Sequence, residues 1–383
     1  MNSPDRNVPT DGDDRGVADS LRPRALPTRY YTDPAIHAAE MSAVFARSWQ
    51  LVGHRSQVSK PGQVLTATVG DESVFVVNDG GQIRAFFNVC QHRGHELFPP
   101  QHPGGDVAEA PGVITCPYHA WVYGLDGRLL SARSRNVGEL CIPRLAVEGL
   151  AGFLFVNVDP DALPLAQHAP GVADEILAIA PQASTRIRTW RRTQLIAANW
   201  KIAVENYNEC YHCPNVHRSF TSGVVDPASY RITPDCTVIR HTARGVESER
   251  SFYQRPEASD DYAAFYIWPA SSIQCYPGQA LNTYRWVPCA PDRTLLVREW
   301  WFDGAEPTDV QRKIIDLDWN TTVSEDLKLV ESTQRGVRSR GYRPGPLVTE
   351  PSGIASVHSE DAVAHLGTLL LSALHDERPP SER

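Results

Sequence analysis

Short runs of apolar and polar residues that are typical of β-strands follow one another in the N-terminal half of the chain. Val64–Val69, Ser73–Asn78 and Ile83–Val89 are runs of this kind, and the tetrapeptide NDGG at 78–81 is a hairpin turn signal. Residues 50–158 are therefore predicted to form a small antiparallel β domain.

The pattern differs on either side of this segment. Residues 1–26 are polar and rich in Pro, Asp and Arg, which predicts a disordered tail. Asp33 followed by proline predicts the start of a helix within residues 27–49, a segment that we expect to pack on the catalytic domain. Residues 159–383 predict a mixed α+β domain, with strands near 263–276 and 282–302 and helices near 199–213 and 307–334.

Charge and length argue against several classes of function. The 383 residues carry a net charge of −8, which argues against binding to nucleic acid or to an anionic membrane. The longest apolar stretch, near 149–158, is half the length of a membrane span, and the first twenty residues lack the apolar core of a secretion signal. We expect a cytoplasmic protein, whose eight cysteines are free, catalytic or metal-bound rather than a disulfide framework.

Two loops of the predicted β domain each contain one cysteine and one histidine. Cys90-x-His92 and Cys116-x-x-His119 follow strand-like runs. A structural zinc site is the alternative, because it uses the same residue types. Zinc fingers, however, place their cysteines in one pair and their histidines in another. The mixed pairs favour a [2Fe–2S] cluster in which two cysteines bind one iron and two histidines bind the other.

The sequences CQHRGHELF and CPYHAWVYGLDGRLL resemble the cluster loops of the Rieske-type non-haem iron oxygenases, and the resemblance covers most of the chain. It implies an α+β protein, with an N-terminal antiparallel β Rieske domain and a C-terminal helix-grip (START-like) catalytic domain that contains an antiparallel sheet. It also implies that Cys90 and Cys116 bind one iron and that His92 and His119 bind the other. His95 is expected to be a neighbour of the cluster and not a ligand.

A second group of metal-binding residue types lies in the segment NWKIAVENYNECYHCPNVH at 199–217. A helix is predicted over Lys201–Tyr211, which would place Glu205, Glu209 and His212 on one face. His217 follows five residues after His212. Two imidazoles and one carboxylate form the facial triad of non-haem Fe(II) oxygenases, which leaves positions open for O2 and substrate.

Two other interpretations of this segment remain open. Cys210 and Cys213 interleave with the histidines, so the four side chains could form a zinc site, although helical positions 210, 212 and 213 diverge. Alternatively, His212 is a hydrogen-bonded core histidine.

The third iron ligand should be an acidic residue of the predicted helix 307–334. Asp326 shares a stripe with Trp319, Val323 and Val330, so it is a carboxylate on an otherwise apolar face and should have a cation as partner. The family resemblance, through SEDLKLVESTQRG, implies the same residue. Glu325 instead lies on a mixed and more solvated face, and Asp316 and Asp318 are weaker candidates.

The resemblance assigns further roles near the iron. It implies that Glu209, at a position where the family usually has Asp, links the iron site to a cluster histidine of the neighbouring subunit. Glu205 is the rival for that role. Asn206 matches a family asparagine near the iron. The glutamate and the run ENYNECYHCPNVH are similar to the branch that acts on quaternary ammonium compounds such as carnitine, choline and glycine betaine.

Together the two sites predict an oxygenase. The resemblance implies that a Rieske cluster passes electrons to a mononuclear Fe(II), which uses O2, and that the chain forms a head-to-tail homotrimer. The chain has no Gly-rich dinucleotide fingerprint, so NAD(P)H should act through a separate flavin/iron–sulfur reductase.

The substrate follows less directly. Quaternary ammonium groups bind to aromatic faces, and the candidate cage residues are Tyr207, Trp268, Tyr284 and Trp286. The hypothesis is hydroxylation of an N-methyl group of a betaine, with loss of formaldehyde. Alternatives are hydroxylation or O-demethylation of an aromatic acid, a non-enzymatic Rieske electron carrier, and a zinc-stabilised binding module.

Overall fold

The computed structural model describes residues 23–99, 102–133, 135–246, 261–278, 280–350, 355–356 and 358–375. Of the predicted disordered tail, residues 1–22 lie outside the described residues. Within the remainder of that tail, Arg24 pairs with Pro346 across a β-bridge and Leu26 is buried.

The strands of the N-terminal part form two antiparallel sheets. A seven-stranded sheet has the order β1-β10-β9-β4-β3-β2-β5, and a three-stranded sheet has the order β6-β7-β8. The bounds are Gln50–His54 (β1), Gln63–Val69 (β2), Glu72–Asp79 (β3), Gln82–Phe87 (β4), Val107–Glu109 (β5), Val113–Thr115 (β6), Val122–Gly124 (β7), Leu129–Ser131 (β8), Arg144–Leu150 (β9) and Phe153–Asn157 (β10). The strand-like runs at 64–69, 73–78 and 83–89 thus correspond to β2, β3 and β4.

The C-terminal part is built on an eight-stranded antiparallel sheet. Its order is β11-β17-β16-β15-β14-β13-β12-β18. The bounds are Ile187–Ile196 (β11), Arg231–Asp235 (β12), Val238–Arg244 (β13), Asp261–Ile267 (β14), Ser271–Tyr276 (β15), Ala280–Ala290 (β16), Arg293–Phe302 (β17) and Ala355–Ser356 (β18). The fold is therefore α+β with antiparallel sheets, as predicted.

The helices connect and cover these sheets. Asp33 caps the second helix, because its carboxylate accepts the backbone N–H of Ala35 at 2.8 Å. The bounds are Arg29–Thr32 (α1), Pro34–Ala43 (α2), Leu165–His168 (α3), Val172–Ile179 (α4), Trp200–Tyr207 (α5), Cys213–Val216 (α6), Arg218–Gly223 (α7), Asp309–Asp318 (α8), Ser324–Val337 (α9) and Asp361–His375 (α10).

A π-helical turn, Trp319–Val323, joins α8 to α9 within the region predicted as one helix. Such turns insert a residue and often occur at functional sites. Trp319, Val323 and Val330 are buried, as the apolar stripe indicated. Helix α5 packs against both α9 and β16, so the residues of these three elements enclose one region of the catalytic domain.

The prediction of a helix over Lys201–Tyr211 is wrong for its last four residues. Helix α5 ends at Tyr207, and Asn208 is its C-terminal cap. The Asn208 side-chain amide donates to the carbonyl of Val204 at 2.8 Å, which satisfies a carbonyl at the helix end. Residues 209–212 therefore form a loop, and the predicted common helical face of Glu205, Glu209 and His212 does not exist.

Candidate active site

Two tight turns bring the two cysteines and two histidines of the β domain together. In the first, Gly94 N–H donates to the carbonyl of Cys90, and in the second, Ala120 N–H donates to the carbonyl of Cys116, both at 3.0 Å. The two cysteines are buried, each with 2% of its surface exposed. The thiols of Cys90 and Cys116 are close enough to form a hydrogen bond, so the two turns meet at these cysteines.

The histidines lie on the outer side of the two cysteines. The ring centroids of His92 and His119 are 4.7 Å apart, and His92 stacks on Trp121. The Nδ1 atom of His119 is buried without a hydrogen-bond partner, and an unpaired buried nitrogen of this kind suits a metal ligand. Two inner thiols and two outer imidazoles are the donor set of a Rieske cluster.

His95 is oriented differently from these four residues. Its Nδ1 contacts the backbone carbonyl of Glu96 at 2.5 Å, and its ring faces Tyr118. It is a neighbour of the cysteine–histidine group, as expected, and its Nδ1 is already paired.

Three side chains converge at the second predicted site. The Nε2 atoms of His212 and His217 are 3.0 Å apart, and Asp326 Oδ1 lies 2.9 Å from His217 Nε2 and 3.4 Å from His212 Nε2. Two imidazole nitrogens and one carboxylate oxygen at this spacing fit one metal ion that keeps several open positions. The His212 and His217 side chains come from the loop and turn around α6, and Asp326 comes from the first turn of α9.

A carboxylate also contacts the outer nitrogen of each imidazole. Glu209 lies 2.5 Å from Nδ1 of His212, and Glu325 lies 2.9 Å from Nδ1 of His217. Sequence reasoning identified Glu209 but placed Glu325 on a solvated face. The signal that could have found Glu325 is its position next to Asp326 in the sequence, because a histidine inserted at the start of α9 can contact both.

The charges of this group are strongly coupled. Burial lowers the pKa of His212, but hydrogen bonds to Asp326 and Glu209 outweigh it and raise the pKa to about 10. Burial raises the pKa of Asp326, but hydrogen bonds from His212 and His217 hold it below its ordinary value.

Glu205 lies outside this group. Both of its carboxylate oxygens accept a hydrogen bond from Tyr31 at 3.0 Å, and burial raises its pKa to about 7. Glu205 is directed into the contact between α5 and the N-terminal helices. The other weaker candidates are also elsewhere: Asp316 is exposed, and Asp318 is buried in an ion pair with Arg298 at 2.8 Å.

Cys210 and Cys213 are joined by a disulfide bond, with their Cα atoms 4.9 Å apart. The expectation that no cysteines pair is therefore wrong for these two. They were expected to diverge on a helix, but the loop after Asn208 brings them together. Sulfur atoms bonded to each other are not thiolates, so this arrangement does not support the alternative zinc site.

Three of the four predicted cage aromatics lie together. Tyr284 and Trp286 stack at 5.1 Å between centroids, and Tyr207 lies 5.2 Å from Tyr284 and 4.9 Å from Trp286. The three rings line a cavity that also reaches Asn206 and Asp326. Among the described residues, the lining of this cavity contains no lysine or arginine.

Trp268 is not part of this cage. It is buried in the core, where its ring packs edge-on against Trp200 at 5.9 Å, and it does not line the cavity. The prediction failed because Trp268 lies in the turn that follows β14, and its aromatic character in the sequence does not show which residues it packs against.

Sequence reasoning also missed the residues behind the cage. The guanidinium of Arg298 lies 3.9 Å from the centre of the Tyr284 ring and is fully buried. Tyr207 is held by its hydroxyl group, which contacts Ser272 at 2.6 Å and accepts a hydrogen bond from Gln274 at 2.9 Å. The cage is thus fixed from its outer side by polar contacts.

Comparison with known proteins identifies the family. The Rieske [2Fe–2S] domain matches residues 48–142, and the catalytic domain of the ring-hydroxylating alpha subunit matches residues 178–375. The carnitine monooxygenase oxygenase subunit of Escherichia coli K12 is 34% identical over 92% of this chain and 94% of its own. The chain is a Rieske-type non-haem iron oxygenase subunit. This family combines a [2Fe–2S] cluster with a mononuclear non-haem iron, and the cysteine–histidine group and the His–His–Asp group of this oxygenase fit the two.

Other similar proteins agree with this assignment. The glycine betaine monooxygenase oxygenase subunit of Chromohalobacter salexigens is 29% identical, covering 86% of this chain and 84% of its own. A quaternary ammonium Rieske monooxygenase with bound L-carnitine superposes with a TM-score of 0.81 at 32% identity, over 94% of this oxygenase and 97% of that chain. Another structure of a quaternary ammonium Rieske monooxygenase, which gave insights into inter-subunit electron transfer, has a TM-score of 0.84 at 31% identity and the same coverage.

Naphthalene 1,2-dioxygenase shares the fold alone, at 19% identity and a TM-score of 0.74 over 92% of each chain. In the described part of this oxygenase, no helix has the length and apolar character needed to cross a bilayer.

Proposed function

We propose that this oxygenase hydroxylates an N-methyl group of a betaine-type quaternary ammonium substrate. The observation that carries the proposal is the cavity in which Tyr207, Tyr284 and Trp286 face the same space as Asp326. Electron-rich ring faces attract a cation that has no N–H to donate, and among the described residues the cavity lining includes no lysine or arginine. Arg298, which lies on the Tyr284 ring, is not one of the lining residues. The carnitine and glycine betaine monooxygenases are consistent with this substrate class.

The metal ligands are assigned from the cysteine–histidine group and the His–His–Asp group. Cys90, Cys116, His92 and His119 would hold the cluster, and His212, His217 and Asp326 would hold the mononuclear iron. When bound, the iron supplies activation of O2 with electrons from the cluster. The protein holds the ammonium group against the rings so that one methyl group faces the metal, and Asn206 lines the same wall of the cavity.

The overall chemistry balances with two electrons and two protons. One oxygen atom of O2 enters a C–H bond of the methyl group, and the other leaves as water. The N-hydroxymethyl product then loses formaldehyde, which leaves a tertiary amine. The alternative of an electron carrier does not account for the catalytic domain or for the convergence of His212, His217 and Asp326.

Electrons should reach the iron from a neighbouring subunit through Glu209. This proposal includes a head-to-tail homotrimer and a separate NAD(P)H-dependent reductase. It is supported by the contact of Glu209 with His212, and by the description of inter-subunit electron transfer in a similar monooxygenase.

We further propose that residues 50–158 form the electron-transfer domain and residues 159–383 the catalytic domain, with 27–49 packed on the latter. Met41, Val44 and Phe45 share a hydrophobic core with Trp200 of α5, which supports the placement of this N-terminal segment.

The test is turnover of purified protein with a surrogate reductase, NADH and O2. Carnitine, γ-butyrobetaine, glycine betaine and choline form the panel, and a methoxybenzoate is the comparison substrate. Formaldehyde formed in proportion to NADH from a panel member supports the proposal. Trimethylamine without formaldehyde would place the oxidation on the adjacent methylene carbon and overturn the N-methyl assignment. Turnover of the methoxybenzoate alone would overturn the substrate class.

A further inference from the structure

His217 contacts carboxylates on both sides of its ring. Its Nδ1 atom lies 2.9 Å from Oε2 of Glu325, and its Nε2 atom lies 2.9 Å from Oδ1 of Asp326. The two acidic residues are consecutive in the sequence, so the first turn of α9 holds the same imidazole at both nitrogens. His217 itself is buried, with 3% of its surface exposed.

This arrangement repeats the one at His212. There Glu209 contacts Nδ1, and Nε2 faces the space between the three proposed ligating atoms. A carboxylate on the outer nitrogen of a ligating histidine fixes the tautomer, because the outer nitrogen then carries the proton and Nε2 keeps its lone pair for the metal. It also fixes the ring plane and increases the basicity of the ligand.

The surroundings allow Glu325 to act on His217 specifically. The Glu325 side chain is one-third exposed, whereas the imidazole that it contacts is almost fully enclosed. The backbone of His217 is fixed by a hydrogen bond from its N–H to the carbonyl of Cys213 at 2.9 Å. The remaining freedom of His217 is rotation of its ring, and the contact with Glu325 restricts that rotation.

We propose that Glu325 is a positioning residue of the mononuclear iron site, which orients His217 and sets its proton on Nδ1. This inference rests on the proposed iron ligands. Its role differs from that of Glu209, because Glu209 also accepts the backbone N–H groups of Tyr211 and His212 and so shapes the loop that carries its histidine. Glu325 acts on the ring alone.

The test measures iron binding in Glu325→Ala, Glu325→Gln and a control, Glu331→Gln. Glu331 lies on the same helix and accepts the backbone N–H of Ala197, away from the histidines. Fe(II) affinity is measured by competition with a chelator. The environment of the iron is measured from the EPR spectrum of its nitric oxide adduct, and the Rieske EPR signal serves as a folding control.

We expect Glu325→Ala to weaken Fe(II) binding by about 10- to 100-fold and to alter the nitric oxide spectrum, with the Rieske signal unchanged. Glu325→Gln keeps an acceptor without the charge, so its loss should be smaller. Affinities of both variants within twofold of the wild-type value, with unchanged spectra, would overturn the inference. Wild-type protein that binds no iron outside the cluster would instead overturn the proposed iron site.

Discussion

The carboxylate of Glu209 lies 2.5 Å from Nδ1 of His212, whose Nε2 faces His217 and Asp326. Glu209 thus contacts the outer nitrogen of a histidine whose inner nitrogen faces the other two residues of the His–His–Asp group. The same carboxylate accepts the backbone N–H groups of Tyr211 and His212, which holds the loop in place after α5 ends.

Replacement of Glu209 by Gln should separate electron transfer from metal binding. The amide keeps the shape of the side chain but cannot accept a full charge-assisted hydrogen bond from Nδ1. We expect iron and cluster to remain bound, while oxidation of the reduced cluster by O2 and substrate slows by about 10-fold or more. Stopped-flow absorbance of the cluster measures this rate, and Glu209→Asp is the charge-conserving control. Wild-type kinetics in Glu209→Gln would contradict the proposed route.

Removal of a cage ring should weaken substrate binding. Each cation–π contact contributes about 0.5–2 kcal/mol, so Tyr284→Leu or Trp286→Leu should raise KM for the quaternary ammonium substrate by about 2- to 30-fold. Trp268→Phe is the matched control, because Trp268 is an aromatic residue of the same domain outside the cavity. An equal rise of KM in the control would indicate a general effect on folding.

Loss of one inner thiol should remove the cluster. Cys116 is buried beside Cys90, whereas Cys141 is an exposed free cysteine. Cys116→Ala should abolish the visible absorption of the cluster and its iron, while Cys141→Ala should retain both. A coloured Cys116→Ala protein with full iron content would refute the ligand assignment.

Stability should fall in mild acid because of His54. Burial lowers its pKa from 6.5 to about 4, and its Nδ1 accepts the backbone N–H of Ser56 at 3.1 Å. Below pH 6.5 the unfolded chain binds a proton at this histidine that the folded chain excludes. The contribution of neutral His54 to the free energy of unfolding is therefore complete above pH 6.5. It is lost progressively as the pH falls towards 4, by about 2 kcal/mol at pH 5.

This effect is measurable as a difference between proteins. The thermal unfolding midpoint of the wild type should drop more between pH 7 and pH 5 than that of His54→Gln, since the variant lacks the titrating group. Identical drops in the two proteins would show that other groups account for the acid sensitivity.

Local patterns predicted the parts of the fold that depend on neighbouring residues. Asp33 followed by proline marks a helix start, and the structure places its carboxylate on the N–H of Ala35. The spacing Cys90-x-His92 and Cys116-x-x-His119 predicted two turns. Each of these turns is local, because it is closed by its own backbone hydrogen bonds.

Features that depend on side-chain competition or on tertiary contacts were beyond the sequence. At the end of α5 the Asn208 amide bonds to the carbonyl of Val204, and the four following residues form a loop. That loop, and not helical periodicity, brings Glu209 to His212 and pairs Cys210 with Cys213. Apolar periodicity singled out Asp326 but placed Glu325 on a more solvated face, because the contact of Glu325 depends on the position of His217.

Whether this chain holds iron at two separate sites is tested most directly by the iron and sulfide content of anaerobically purified protein, combined with EPR spectroscopy before and after addition of nitric oxide. We expect three iron atoms and two acid-labile sulfides per chain, with two iron atoms in a Rieske cluster and one that forms a nitric oxide adduct. A colourless protein with zinc at both places, or a cluster without a third iron atom, would refute the two-site assignment.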